Sequence, residues 1–376
     1  MTTRSHRLLL IGLAATIACP VQGSAEFVLL GTNGSGPGIG FSLATFDAAN
    51  GGLSRPAFIQ EAVDPAFFVV QAEGRHLYAC NSGPTSELSA YRLDPGTGGL
   101  SLLNRRPSGG IGPCYVSLDR TGRYALVANY VGGDVSVFAI EKDGSLGRRT
   151  AHVQEVGRGI DPIRQTHAYA HSIVVDPSNR FALVADLGSD KVWVDRFSAA
   201  DGSLAPNDPA AAPLPPGSGP RHLRFHPVGP WVYVISEIAS TVTAFHWDAV
   251  TGSLSLLQSL TTLPRGFHGA NTAAEIEIHP NGRFLYCSNR GNDSIAAFSI
   301  DPGTGLLAPI GFVSSGGRTP RFFTLDPSGR WMLCGNQESD NVTVFRVDPT
   351  TGRLLQVGDP IPARIPVCLG FVPTLP

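Results

Sequence analysis

The sequence predicts an all-β fold, a seven-bladed propeller of four-stranded blades, from three observations: a turn-rich composition, a hairpin turn that recurs seven times, and a second turn that recurs six times. Gly 44 and Pro 30 against Met 2, with only 15% charged residues, is the composition of many short strands joined by tight turns. A length of 376 residues would by itself suggest two domains, but a propeller uses such a length as one closed unit. Lys and Arg number 28 against 30 Asp and Glu, so no charge excess points to nucleic acid. A hydrophobic content of 42% is enough for a large core.

Residues 1–25 read as a secretory signal, leaving 26–376 as a single propeller domain. Arg4, His6 and Arg7 precede an apolar run from Leu8 to Ala18, and Gly23 and Ala25 stand at −3 and −1 of a cleavage point. The run is shorter than the roughly 20 residues that span a bilayer, so no membrane span remains after removal. Thr16 and Ile17 fit poorly in front of a lipid-modified Cys19. The mature chain is expected to be periplasmic or secreted. Its Cys80, Cys114, Cys287, Cys334 and Cys368 have no metal-ligand spacing, and Cys80, Cys287 and Cys334 fall in apolar strand patterns that make them buried hydrophobes.

The hairpin turn appears as DAANGGL from Asp47, DPGTGGL from Asp94, EKDGSL from Glu141, SAADGSL from Ser198, DAVTGSL from Asp248, DPGTGLL from Asp301 and DPTTGRL from Asp348. Its glycine supplies positive φ, and its leading Asp bonds the turn backbone. The period of roughly 50 residues lies in the propeller range. The second turn appears as QAEGR from Gln71, DRTGR from Asp119, DPSNR from Asp176, HPVGP from His226, HPNGR from His279 and DPSGR from Asp326. Turn formation therefore accounts for His226 and His279. Each repeat reads as strand, second turn, strand, loop, strand, hairpin turn, strand.

The chain opens at FVLLGTNG, which matches a second strand, and closes at PVCLGFV from Pro366, which matches first strands such as PCYVSLD and PRFFTLD. The C-terminus is thus expected to supply the strand that the N-terminal blade lacks, closing the ring. The irregular stretches from Arg158 to Thr166 and from Asn207 to Gly219 read as loops between blades.

In a propeller the starts of the first strands and the loops after the second strands gather on one face. Those loops share an offset at Tyr130, Leu187, Glu237, Arg290 and Gln337, which makes Glu237 and Arg290 neighbours. The strand starts bring Tyr115, His167 and His171, Arg221 and His222, Glu275, and Arg321. A carboxylate, imidazoles and three guanidiniums converging on one mouth suit an anionic ligand that needs proton transfer. Read singly, each of these is as well explained by structure; their convergence favours function. Glu277 shares the face of Glu275 at a depth the sequence does not give, and His152 and His268 have no matching partner.

At these residues the sequence resembles the seven-bladed propeller lactonase family, which includes bacterial propeller-type 6-phosphogluconolactonases and fungal 3-carboxy-cis,cis-muconate lactonizing enzymes. The resemblance covers the mature chain and rests on HAYAHSIVVDP from His167, GPRHLRFHP from Gly219, ISE ending at Glu237, YCSNR ending at Arg290 and TPRFFTLDPSGR from Thr319. It implies opening or closing of a lactone ring, with His171, Arg221, Glu237 and Arg290 as catalytic residues. Arg321, together with His167, His222, Tyr130, Gln337 and Glu275, is expected to bind substrate. Either Glu237 or His171 would serve as general base. Two departures are Leu187, apolar at one loop position, and Asp195, where an aromatic is expected.

The expected partner is a small lactone or acidic substrate, with no cofactor and no metal. Two other readings stand beside it: a non-catalytic binding or scaffold propeller, and a Ca²⁺-dependent site, which the arginine-rich mouth disfavours.

Overall fold

The computed structural model describes residues 26–34 and 36–373, and the signal segment and Cys19 lie outside the described residues. Seven antiparallel sheets follow one another around a ring. Blade 3 shows the pattern: strands Pro113–Leu118, Tyr124–Asn129, Asp134–Ile140 and Leu146–Gln154 run in order from the central channel outward. Second strands such as YALVAN, FALVAD and WVYVIS are buried throughout, because adjacent blades cover both of their faces. Fourth strands such as Leu100–Pro107 and Leu354–Pro362 are exposed or half-buried throughout.

Ring closure is as predicted. The C-terminal strand Pro366–Phe371 pairs antiparallel with Glu26–Thr32, which pairs with Gly40–Asp47, and Gly52–Leu53 and Ala57–Glu61 complete blade 1. The second turns act as fasteners between blades. Asp119 Oδ1 accepts the backbone N–H of Arg123 and Tyr124, and its Oδ2 accepts from Asn179 in the equivalent turn of blade 4. His226 fills the same role with different chemistry: Nδ1 accepts the Gly229 N–H at 2.7 Å, which leaves Nε2 to donate to the Gly282 carbonyl of the next blade at 2.8 Å. His279 repeats this toward Gly329.

One sequence expectation is corrected. The stretch from Asn207 is not loop up to Gly219, because the fourth strand of blade 4 runs Ser203–Pro213. An outer strand pairs on one side only, so its Pro206, Pro209 and Pro213 are tolerated. All five cysteines of the described residues are free, and Cys80, Cys287, Cys334 and Cys368 are buried.

Candidate active site

In every blade the pairing of first to second strand slips by one residue near the start of the first strand, a β-bulge repeated around the ring. The extra residue is Cys114 in blade 3, His171 in blade 4, Arg221 in blade 5 and Arg321 in blade 7. A bulge adds one side chain to the channel face that strict alternation would have turned into the sheet. These residues form an upper chamber, and the residues that follow them form its floor. Phe67 stacks on Tyr115 at 4.3 Å between ring centres, and Phe322 and His222 pack edge-on against Phe67.

Glu237 is the centre of the chamber. Its Oε2 accepts from Arg221 Nε at 3.1 Å and forms an ion pair with Arg290 Nη2 at 2.9 Å, Arg164 Nη2 lies on Oε1, and His171 Nε2 stands 3.8 Å from Oε2. Burial alone would raise the Glu237 carboxyl, but Arg290, Arg221, His171 and Arg164 outweigh it and hold the group far below the usual carboxylate range. His171 is held neutral: burial, with Arg221 and His222 beside it, pushes its pKa well down. Burial, Arg290 and Arg321 push Arg221 down to about 9. Arg321 makes no salt bridge among the described residues, yet Arg290 and Glu237 are near enough for their charges to act on it. Four guanidiniums therefore share a chamber with one carboxylate, and the chamber is left positive.

The structure distributes the other sequence-predicted residues over three levels. Tyr130 is in the chamber, its ring edge-on to His171 at 5.2 Å. Gln337 opens a short 3-10 turn at the rim and makes no side-chain hydrogen bond among the described residues. His167 is exposed on the rim, bonded to the Val131 carbonyl at 3.1 Å and lying on Tyr169 at 4.0 Å. His222 and Glu275, expected at the mouth, belong one layer lower: both are buried, and His222 Nδ1 bonds Glu275 Oε2 at 2.8 Å beneath Arg221 and His171. The alternation of first-strand residues hid that depth, because the bulge above had shifted the register. Beyond the floor Arg224 bridges Glu275 and Glu277 at 2.8 and 3.1 Å, so Glu277 faces the opposite mouth. Leu187 is fully buried and does not line the mouth; Gln165 bonds its carbonyl.

Sequence reasoning missed Arg164, Cys114 and Tyr169. Cys114 Sγ lies 3.3 Å from the His171 carbonyl oxygen and 3.8 Å from Nδ1, with its thiol pushed up to about 12 by burial, so it stays a neutral wall. Arg164 stands in the 158–166 stretch that only blade 4 carries. Its one signal was its place, with Arg158, in an insertion. Among the described residues no group of three His, Cys, Asp or Glu is arranged to hold a metal ion, and no helix is long and apolar enough to cross a membrane.

The family model described as "Lactonase, 7-bladed beta-propeller" matches residues 27–371. The chain belongs to that family. Among members of the propeller lactonase family, the 6-phosphogluconolactonase of Bacillus subtilis (strain 168) is 30% identical over 295 residues, 78% of this chain and 83% of the relative. The 6-phosphogluconolactonase of Formosa agariphila is 31% identical over 77% of this chain and 83% of its own. Of the solved structures, a periplasmic gluconolactonase of Pseudomonas aeruginosa superposes with a TM-score of 0.87 at 32% identity, covering 94% of this chain and all of that one.

Proposed function

We propose that the protein is an exported lactonase that hydrolyses a sugar lactone bearing an acidic group, with His171 as general base. The observation that carries this reading is the pair formed by neutral His171 and ionised Glu237, whose Nε2 and Oε2 are 3.8 Å apart. That gap suits one water held by both groups. The water oxygen attacks the lactone carbonyl carbon while its proton passes to His171 Nε2. Glu237 steadies the imidazolium, and the arginines face the oxyanion as it forms. Collapse breaks the ring C–O bond, and the imidazolium returns the proton to the departing alkoxide. Glu237 is a poorer base than His171 in this setting, because three guanidiniums already take up its charge.

The names of the relatives, 6-phosphogluconolactonase and gluconolactonase, support a sugar lactone as substrate. His171→Ala and Glu237→Gln are each expected to lower kcat on a panel of plain, carboxylated and phosphorylated lactones by about 100-fold or more, measured on purified protein. Parent-like rates in both variants would remove the assignment. Export rests on the leader pattern and on the periplasmic location named for the similar Pseudomonas structure. Cell fractionation with N-terminal sequencing is expected to find a mature chain beginning at Glu26 outside the cytoplasm, and an intact cytoplasmic chain would contradict it.

A further inference from the structure

Glu237 carries more cations than one carboxylate needs, and the three are not held alike. Arg221 also donates to the Ala274 carbonyl at 2.7 Å, and Arg290 to the carbonyls of Thr272 and Ala273 at 3.3 and 3.1 Å. Both are tied to strand backbone whatever Glu237 does. Arg164 has no such second tie among the described residues, and its side chain is 37% exposed against 4% and 13% for Arg221 and Arg290. Its second partner is a side chain instead, the Tyr130 phenol, which lies within hydrogen-bonding reach of the guanidinium.

The pivot of this side chain is nevertheless rigid. Asp161 Oδ1 accepts the backbone N–H of Ile163 at 2.9 Å and of Arg164 at 3.0 Å. The next residue, Gln165, is buried and donates to the Leu187 carbonyl at 2.8 Å and to Asp190 at 2.6 Å. A long, half-exposed side chain on a fixed backbone can swing without its loop moving. Arg321 looks into the same chamber with no carboxylate of its own.

We propose that Arg164 selects anionic lactones by leaving Glu237 for the carboxylate or phosphate of the substrate, which it then grips together with Arg321. This rests on the lactonase reading above. The exchange costs little, since one charge-assisted pair replaces another. It also bares Glu237 Oε1, so that the carboxylate supports the His171 imidazolium with two guanidiniums on it instead of three. A plain lactone offers Arg164 nothing in return, and Glu237 stays fully loaded.

Binding of 6-phosphogluconate and gluconate, the open acids, to the parent, Arg164→Ala and Arg164→Lys is measured by calorimetry, alongside turnover of the matching lactones. Arg164→Ala is expected to shrink the preference for the phosphorylated acid by roughly tenfold or more, with Arg164→Lys in between. It is also expected to raise KM for the phosphorylated lactone and to speed opening of the plain one several-fold. Equal losses toward both acids would reduce Arg164 to a structural partner of Glu237, and an unchanged preference would overturn the proposal. If the parent opens no lactone, the lactonase reading fails, while the ratio of the two binding constants still decides the role of Arg164.

Discussion

Glu155 and Asp195 are buried carboxyls outside the chamber, and each keeps one oxygen, Glu155 Oε1 and Asp195 Oδ2, without a hydrogen-bond partner among the described residues. Burial, with Asp195 and Asp186 nearby, pushes Glu155 up to about 9, and burial pushes Asp195 up to about 6. Both folded values lie above those of the unfolded chain, so the folded state binds their protons more tightly. Their contribution to stability is complete below the unfolded pKa of about 4 and is lost as pH rises through about 6 and about 9. The Tm of the parent is therefore expected to decline as pH is raised from 6 to 9, and Glu155→Gln to flatten that decline and to melt higher at the alkaline end. A variant with the same pH dependence as the parent would show that Glu155 takes no proton on folding. Residues of this kind were only half legible in the sequence. Tyr130, Glu237 and Arg290 were found because sister blades supplied an alignment at one offset. Arg164 had no counterpart in any blade, so no alignment could point to it.

At the scale of single elements the turns were legible and the bulges were not. A Gly four positions after an Asp announces a hairpin through local chemistry, and the turns from Asp94, Asp248, Asp301 and Asp348 match. A bulge is a property of two strands in register, and nothing in PCYVSL or PRHLRF alone says that Cys114 and Arg221 are the extra residues. The same limit explains the misread stretch after Asn207, where a run rich in Pro and Ala proved to be an outer strand. The most consequential element is the closing strand Pro366–Phe371. Without it the inner edge of Glu26–Thr32 is left unpaired, and the core loses the buried side chains of Val367, Cys368 and Leu369. A chain ending at Ile365 is expected to elute as oligomers on size-exclusion chromatography and to lose its cooperative melt, and a monomer with parental Tm would show the strand to be dispensable.

The whole molecule is a ring whose axis is divided by an aromatic floor, with a positive chamber on one side and the Arg224–Glu277 pair on the other. Its seven blades, their order and their closure could all be read from repeats, because each blade obeys the same local rules. The division of the axis could not, since it depends on how deep each first-strand side chain sits once all blades are assembled. Closure also has a temporal side. The strand that locks blade 1 is the last segment of the described chain to be synthesised, whereas its partner Glu26–Thr32 is among the first. Blades in between can form as they emerge, but the circle has no way to shut until Pro366–Phe371 has been made. The fold thus carries its own delay, and a chain so built stays open until its closing strand has emerged.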